Sequence, residues 1–142
     1  MLRPKLLEDD YSLVIRTAFT DDVAWEHVCK LIQEPQTEDG FQACVECISD
    51  KACSGVTPDE IASLLPAGSQ RAVVFLVDTE AMAHHEHAVL VVDLLADPVR
   101  SFRVVPSEAW SVENNLRLAN MDFAEFAESV DTNGVFRGFS QT

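Results

Sequence analysis

Three apolar, β-branched runs follow one another between Arg71 and Val105: Arg71-Ala-Val-Val-Phe-Leu-Val-Asp78, Ala88-Val-Leu-Val-Val-Asp-Leu-Leu95 and Ser101-Phe-Arg-Val-Val105. Each is shorter than an ordinary helix and is bounded by turn-forming residues, which is the pattern of sheet strands. A sheet is therefore the centre of any fold open to this chain. The flanking segments must supply the layers that cover it.

The flanks read as alternating strands and helices. Ser12-Leu-Val-Ile-Arg-Thr17 and Phe41–Ile48 have strand character. Between them Thr20, as N-cap, opens a helix with Asp21 and Asp22 in its first turn. Val23, Trp25, Val28, Leu31 and Ile32 recur at helical spacing, and Pro35 follows the end. Thr57-Pro-Asp-Glu60 is a capping box with proline at the first helical position. Helical segments are also predicted over 107–115 and from Asp122 to Val130, and part of the apolar tail Val135–Phe139 should dock. The order β-α-β-α-β-β-β-α-α predicts one α+β domain over residues 1–142, with a loose N-terminal arm at about 1–11. Its sheet is mixed and roughly five-stranded, with parallel early strands, antiparallel late strands and helices mainly on one face.

Composition sets bounds on function. The 142 residues carry 24 acidic and 10 basic side chains, a formal net charge of -14. Such a field repels nucleic acid and anionic membranes and favours cationic partners. No apolar run approaches the ~20 residues needed to cross a bilayer, and the N-terminus lacks the apolar core of a signal peptide. The expected compartment is the cytoplasm. No nucleotide, phosphate or nucleophile-elbow fingerprint is present, so no cofactor is expected. The sequence does not set the oligomeric state.

Charges inside apolar strands are the most informative polar residues, because a buried unpaired charge costs several kcal/mol. Arg16, Glu46, Asp93 and Arg103 each interrupt a strand. If they share one face, they form an ionic patch that could floor a polar pocket. The plain alternative is the solvated side of a half-exposed sheet. A three-residue turn, Asp97-Pro98-Val99, would set Leu94 opposite Phe102 and Val92 opposite Val104, with Asp93 opposite Arg103 on the other face.

Cysteines and histidines offer weaker chemistry. Cys44 and Cys47 form a C-x-x-C, but in a strand their thiols point to opposite faces, so free thiols are favoured over a metal or redox site. His84-His-Glu-His87 places His84 and His87 at a spacing that shares a helix face, making them weak metal candidates. A solvated loop is the simpler reading.

Trp110 to Phe126 is dense in aromatic, asparagine and charged residues. It reads either as a helical connection whose asparagines bond to backbone or as a recognition surface. In the second case Trp110 is the anchor and Asn114, Asn115 and Arg117 are polar contacts. The segment Phe102-Arg-Val-Val-Pro-x-Glu-x-Trp-Ser-Val-Glu-Asn-Asn-Leu-x-Leu-Ala-Asn-Met-Asp-Phe-x-Glu-Phe126, with Gly134-Val-Phe-Arg-Gly-Phe139, resembles a bacterial family of small acidic proteins of unknown function. The resemblance covers nearly the whole chain and implies no activity, cofactor or catalytic residue. In style the chain is also similar to small bacterial immunity proteins, acidic α+β domains that bind a toxin. The reading favoured is a non-catalytic, immunity- or adaptor-like protein with an acidic surface for a basic protein partner. The alternative is a small-molecule-binding protein or enzyme of a specialised biosynthetic pathway, using the charged patch on the sheet.

Overall fold

The computed structural model describes residues 12–65, 72–96 and 98–139. The expected arm at 1–11 lies outside these residues. The elements are β1 (Ser12–Arg16), α1 (Asp22–Gln33), β2 (Val45–Ile48), α2 (Pro58–Leu64), β3 (Val73–Val77), α3 (Thr79–Ala83), β4 (Val89–Asp93), β5 (Arg100–Val104), α4 (Ala109–Arg117), α5 (Phe123–Ala127) and β6 (Val135–Phe136). The fold is α+β, as expected.

The strands form one six-stranded sheet in the order β2-β1-β3-β4-β5-β6. β1 runs parallel to both β2 and β3, whereas β3, β4 and β5 are successively antiparallel. The sixth strand is the apolar tail. Val135 and Phe136 lie parallel to Arg103 and Val104, and Phe136 is fully buried in edge-to-face contact with Phe126, at 5.2 Å between ring centroids. Gly134, at φ +79°, makes the turn into this strand.

Both faces of the sheet are covered at its centre. One carries Val14, Val45, Val73, Phe75, Val77, Val89, Val91, Phe102 and Val104 under α1, α4 and α5, with Ala81 of α3 in the same cluster. The other carries Leu13, Ile15, Ile48, Val74, Leu76 and Val92 against Ile61 of α2 and Cys53. Helices thus lie mainly on one face. β1 and β3 are buried along their whole length, which explains why β3 reads as a continuous apolar run.

Local signals place the helix ends. Asp21, not Thr20, is the N-cap of α1, and its side chain accepts the Ala24 amide at 3.0 Å. The expected capping box of α2 is present: the Thr57 hydroxyl takes the Glu60 amide and Glu60 takes the Thr57 amide at 3.1 Å. Glu125 closes the start of α5 onto the Asp122 amide at 2.7 Å.

Two further expectations fail. The strand predicted over Phe41–Ile48 is ordered as a strand only from Val45. The preceding residues turn to α4 instead, since the Cys44 amide donates to Glu113 at 2.8 Å and the Gln42 carbonyl accepts from Asn114 at 3.2 Å. The β4–β5 hairpin is out of the expected register as well. Asp93 pairs with Arg100, Val92 with Ser101, Val91 with Phe102, Leu90 with Arg103 and Val89 with Val104. Asp93 ends β4 itself, because its Oδ1 accepts the Leu95 amide at 2.9 Å and starts the turn early. The connection is therefore longer than Asp97-Pro98-Val99. The shift from Arg103 to Arg100 is three residues, an odd number, so it moves Arg103 to the opposite face from Asp93.

Candidate functional site

The four strand charges do not meet in one ionic patch. Arg16 and Asp93 lie on the face beneath α1, α4 and α5, but near different ends of the sheet. Glu46 is paired with Leu13, and Arg103 with Leu90, on the other face and towards opposite edges. Strand alternation was read correctly within each strand. The relation between strands was not, because it depends on register and sheet order.

Arg16, Asp93 and Arg103 each have a partner of their own. Arg16, 4% exposed, donates to the Ala18 carbonyl and Asp22 Oδ1, both at 2.7 Å. Its guanidinium lies over the Phe19 ring, 4.5 Å from the centroid. Asp93 accepts both Nε and Nη2 of Arg100, at 3.1 and 2.9 Å. Arg103 grips Asp78 with two bonds of 3.0 and 2.6 Å and reaches Glu80 at 2.8 Å. Burial pushes the Asp78 carboxyl up. The Arg103 fork and the Ala81 amide outweigh it and hold the group below the usual carboxylate range. Glu46 Oε2 is shielded from solvent and accepts no hydrogen bond among the described residues.

The segment after Trp110 supplies the densest polar site, and its centre is a residue that the sequence reading passed over. Glu113 is fully buried. Its Oε2 accepts the Ser12 hydroxyl and Arg117 Nε, each at 2.8 Å. Its Oε1 accepts the Cys44 amide at 2.8 Å and the Asn114 side chain at 2.9 Å. These partners come from β1, from the approach to β2 and from α4 itself. The signal was present: Glu113 falls in the same inward stripe of α4 as Ala109, Val112 and Leu116. A carboxylate in an apolar stripe must find donors, as Asp93 does in its strand.

Trp110 is half-buried and stacks on Phe41 at 5.4 Å between centroids, with the planes 15° apart. Asn114 and Asn115 are turned inwards, Asn115 to the Ser111 carbonyl at 2.8 Å. Arg117 is the ion-pair partner of Glu113. The structure thus brings Asn114 and Arg117 together around one buried carboxylate, while Trp110 packs on the core and on Phe41.

Two clefts flank these features. One, of about 430 Å³, is lined by Asp93 and Arg100 together with Leu116, Met121 and Phe123. Arg100 lies across the Phe123 ring at 5.1 Å. The other, of about 510 Å³, lies between α1 and the edge strand β2 and is lined by Trp25, Glu26, Cys29, Lys30, Cys47 and Ser49, among others. Cys29 and Cys47 were missed as a pair, since nothing in their sequence separation links them.

The histidines also rearrange. α3 ends at Ala83, and His84 is already extended, at φ -66° and ψ 136°. His84 and His87 therefore do not share a helix face. His87, at φ +54°, places Nδ1 3.0 Å from the Ala81 carbonyl and meets the His27 ring edge-on at 5.3 Å. His84, His85 and Glu86 have ligand atoms within 4.8 Å of one another. Glu86 and His84 are already engaged. The Arg137 hydrogen bond holds the Glu86 carboxyl below its usual range, and His84 Nδ1 accepts the Glu86 amide at 3.0 Å.

Comparison with protein families places this arrangement. Residues 11–139 match the family described as domain of unknown function DUF6924. The chain belongs to that family. The match takes in every described element, from β1 to β6. No curated protein matches the chain. No helix among the described residues is long and apolar enough to cross a membrane.

Proposed function

We propose that the protein is a non-catalytic binding protein whose acidic surface meets a basic protein partner. One observation carries this reading. Each described arginine is held by a carboxylate of the same chain: Arg16 by Asp22, Arg100 by Asp93, Arg103 by Asp78 and Glu80, Arg117 by Glu113, and Arg137 by Glu86 and Asp131. These arginines are spent on the fold, and surplus carboxylates are left outside. Glu26, Glu34, Glu38 and Asp39 are exposed along α1 and the loop after it, and they make no ion pair among the described residues. An exposed charge pair is worth only about 0–1 kcal/mol, so such a surface works through several contacts at once and through faster encounter.

The test is capture from a host extract with the wild-type chain and with an E26K/E34K/E38K variant. The reading expects a lysine- and arginine-rich protein that the wild type holds at low salt. The partner should be released as screening shortens the Debye length below about 8 Å, and the variant should lose it. A partner held equally by the variant, or indifferent to salt, overturns it.

The cleft at Asp93 and Arg100 favours the second reading, a small-molecule-binding protein or enzyme. Its volume of about 430 Å³ is within the range of ligand sites. A small molecule retained in native mass spectrometry by the wild type, and lost on Arg100→Ala, would support that reading over the first.

A further inference from the structure

Cys29 sits in the inward stripe of α1 with Trp25, Val28 and Ile32, and is 8% exposed. Cys47 lies on β2, at the edge of the sheet, where strand alternation turns it to the same side as Val45 and hence towards α1. The two thiols line the same open cleft, beside Lys30, Trp25 and Ser49, and Cys47 lies close enough to Cys29 to push that thiol up. Cys44 lies three residues before Cys47, outside β2, with its amide turned to Glu113, and Cys53 belongs to the core on the opposite face.

We propose that Cys47 is a peroxide-reactive thiol and Cys29 its resolving partner, so that a hydroperoxide converts the pair into a disulfide joining α1 to the edge strand. The roles follow from the surroundings. Cys47 is the more accessible of the two and opens onto the cleft. Cys29 is the buried member of the pair, so a peroxide entering the cleft meets Cys47 first.

In the first step the Cys47 thiolate attacks one peroxide oxygen. The O–O bond breaks, an S–O bond forms, and the second oxygen leaves as hydroxide or alkoxide, which takes up a proton. The sulfur is oxidised by two electrons and the peroxide is reduced. In the second step the Cys29 sulfur attacks the sulfenic sulfur of Cys47. The S–S bond forms, the S–O bond breaks, and the hydroxyl leaves as water with the Cys29 proton. With hydrogen peroxide the sum is two thiols and one peroxide giving one disulfide and two waters.

The experiment exposes the reduced, folded full chain to hydrogen peroxide and maps its peptides under non-reducing conditions. The expected result is a Cys29–Cys47 linked peptide, with Cys44 and Cys53 still alkylatable. It should form about tenfold or more faster than free cysteine is oxidised under the same conditions. Cys29→Ser should instead accumulate a sulfenic acid at Cys47, trapped by dimedone, and Cys47→Ser should leave Cys29 reduced. The wild-type map needs no variant and so stands even if a substitution perturbs folding. Linkage through Cys44 or Cys53, linkage only in denaturant, or a rate no greater than that of free cysteine would each overturn the proposal.

Discussion

Asp93 and Arg100 face each other directly across the β4–β5 ladder, with Nη2 of the arginine 2.9 Å from Oδ2 of the aspartate. The two are unequal in exposure. The Asp93 side chain is 6% exposed and that of Arg100 52%. The carboxylate is therefore the buried member, and the arginine is its route to charge compensation at the rim of the cleft.

This asymmetry predicts unequal mutational costs. Arg100→Ala strands a buried carboxylate with the Leu95 amide as its remaining donor among the described residues, and should cost about 3 kcal/mol. Asp93→Ala frees an arginine that already reaches water, and should cost about 1–2 kcal/mol. Urea unfolding of the two single variants measures the difference. Equal costs, or the reverse order, would mean that solvent reaches Asp93.

Glu113 should be the more sensitive anchor. Its carboxylate ties Ser12, Cys44, Asn114 and Arg117 into one network. Glu113→Ala takes the carboxylate away from the buried Ser12 hydroxyl and the Cys44 amide and should cost about 3–5 kcal/mol. Glu113→Gln keeps the shape, loses the charge-assisted bond to Arg117 and should cost less. A double-mutant cycle with Arg117→Ala then isolates the ion pair. A coupling near zero would show that the backbone and hydroxyl donors carry the stabilisation.

How far the sequence was legible depended on the range of each signal. The capping box at Thr57 and Glu60, and the apolar runs of β3 and β4, are local patterns and were placed correctly. The hairpin register failed because it turned on a single side-chain bond, Asp93 to the Leu95 amide, which shortened β4 and lengthened the turn. β6 was legible only as a tail too apolar to be free. Its pairing with β5 needs a contact across α4 and α5 that no local pattern carries. The same distance separates Glu113 from Ser12 and Cys29 from Cys47. An inward charge or thiol can be read from periodicity, but its partner cannot.

Trp110 tests whether its surface is scaffold or contact. It packs against the core cluster while its indole stacks on Phe41, which is 49% exposed. A fully buried tryptophan replaced by alanine costs about 3–5 kcal/mol. A half-buried one should cost about 2 kcal/mol, read as a lowered denaturation midpoint. A variant with unchanged stability that no longer captures its partner would reassign Trp110 as an interface anchor.

The Asp78–Arg103 pair predicts how stability responds to acid. The Asp78 carboxyl is held below its ordinary value in the folded protein, because the Arg103 fork and the Ala81 amide outweigh the opposing effect of burial. A group with a depressed folded pKa releases its proton more readily in the folded state than in the unfolded state. Its stabilisation is therefore complete above the unfolded value and is lost as pH falls through the folded one. For Asp78 the loss should begin near the ordinary aspartate value, about pH 4, and deepen below it. Urea midpoints measured from about pH 6 down to pH 2 should fall in the wild type. Asp78→Asn should start lower at pH 6 and fall less steeply, because the titrating group has been removed. Arg103→Ala should flatten the acid limb as well, since without the guanidinium burial acts on Asp78 with less opposition. If both variants keep the wild-type slope, acid sensitivity resides in other carboxylates, and the Arg103 fork does not set the titration of Asp78.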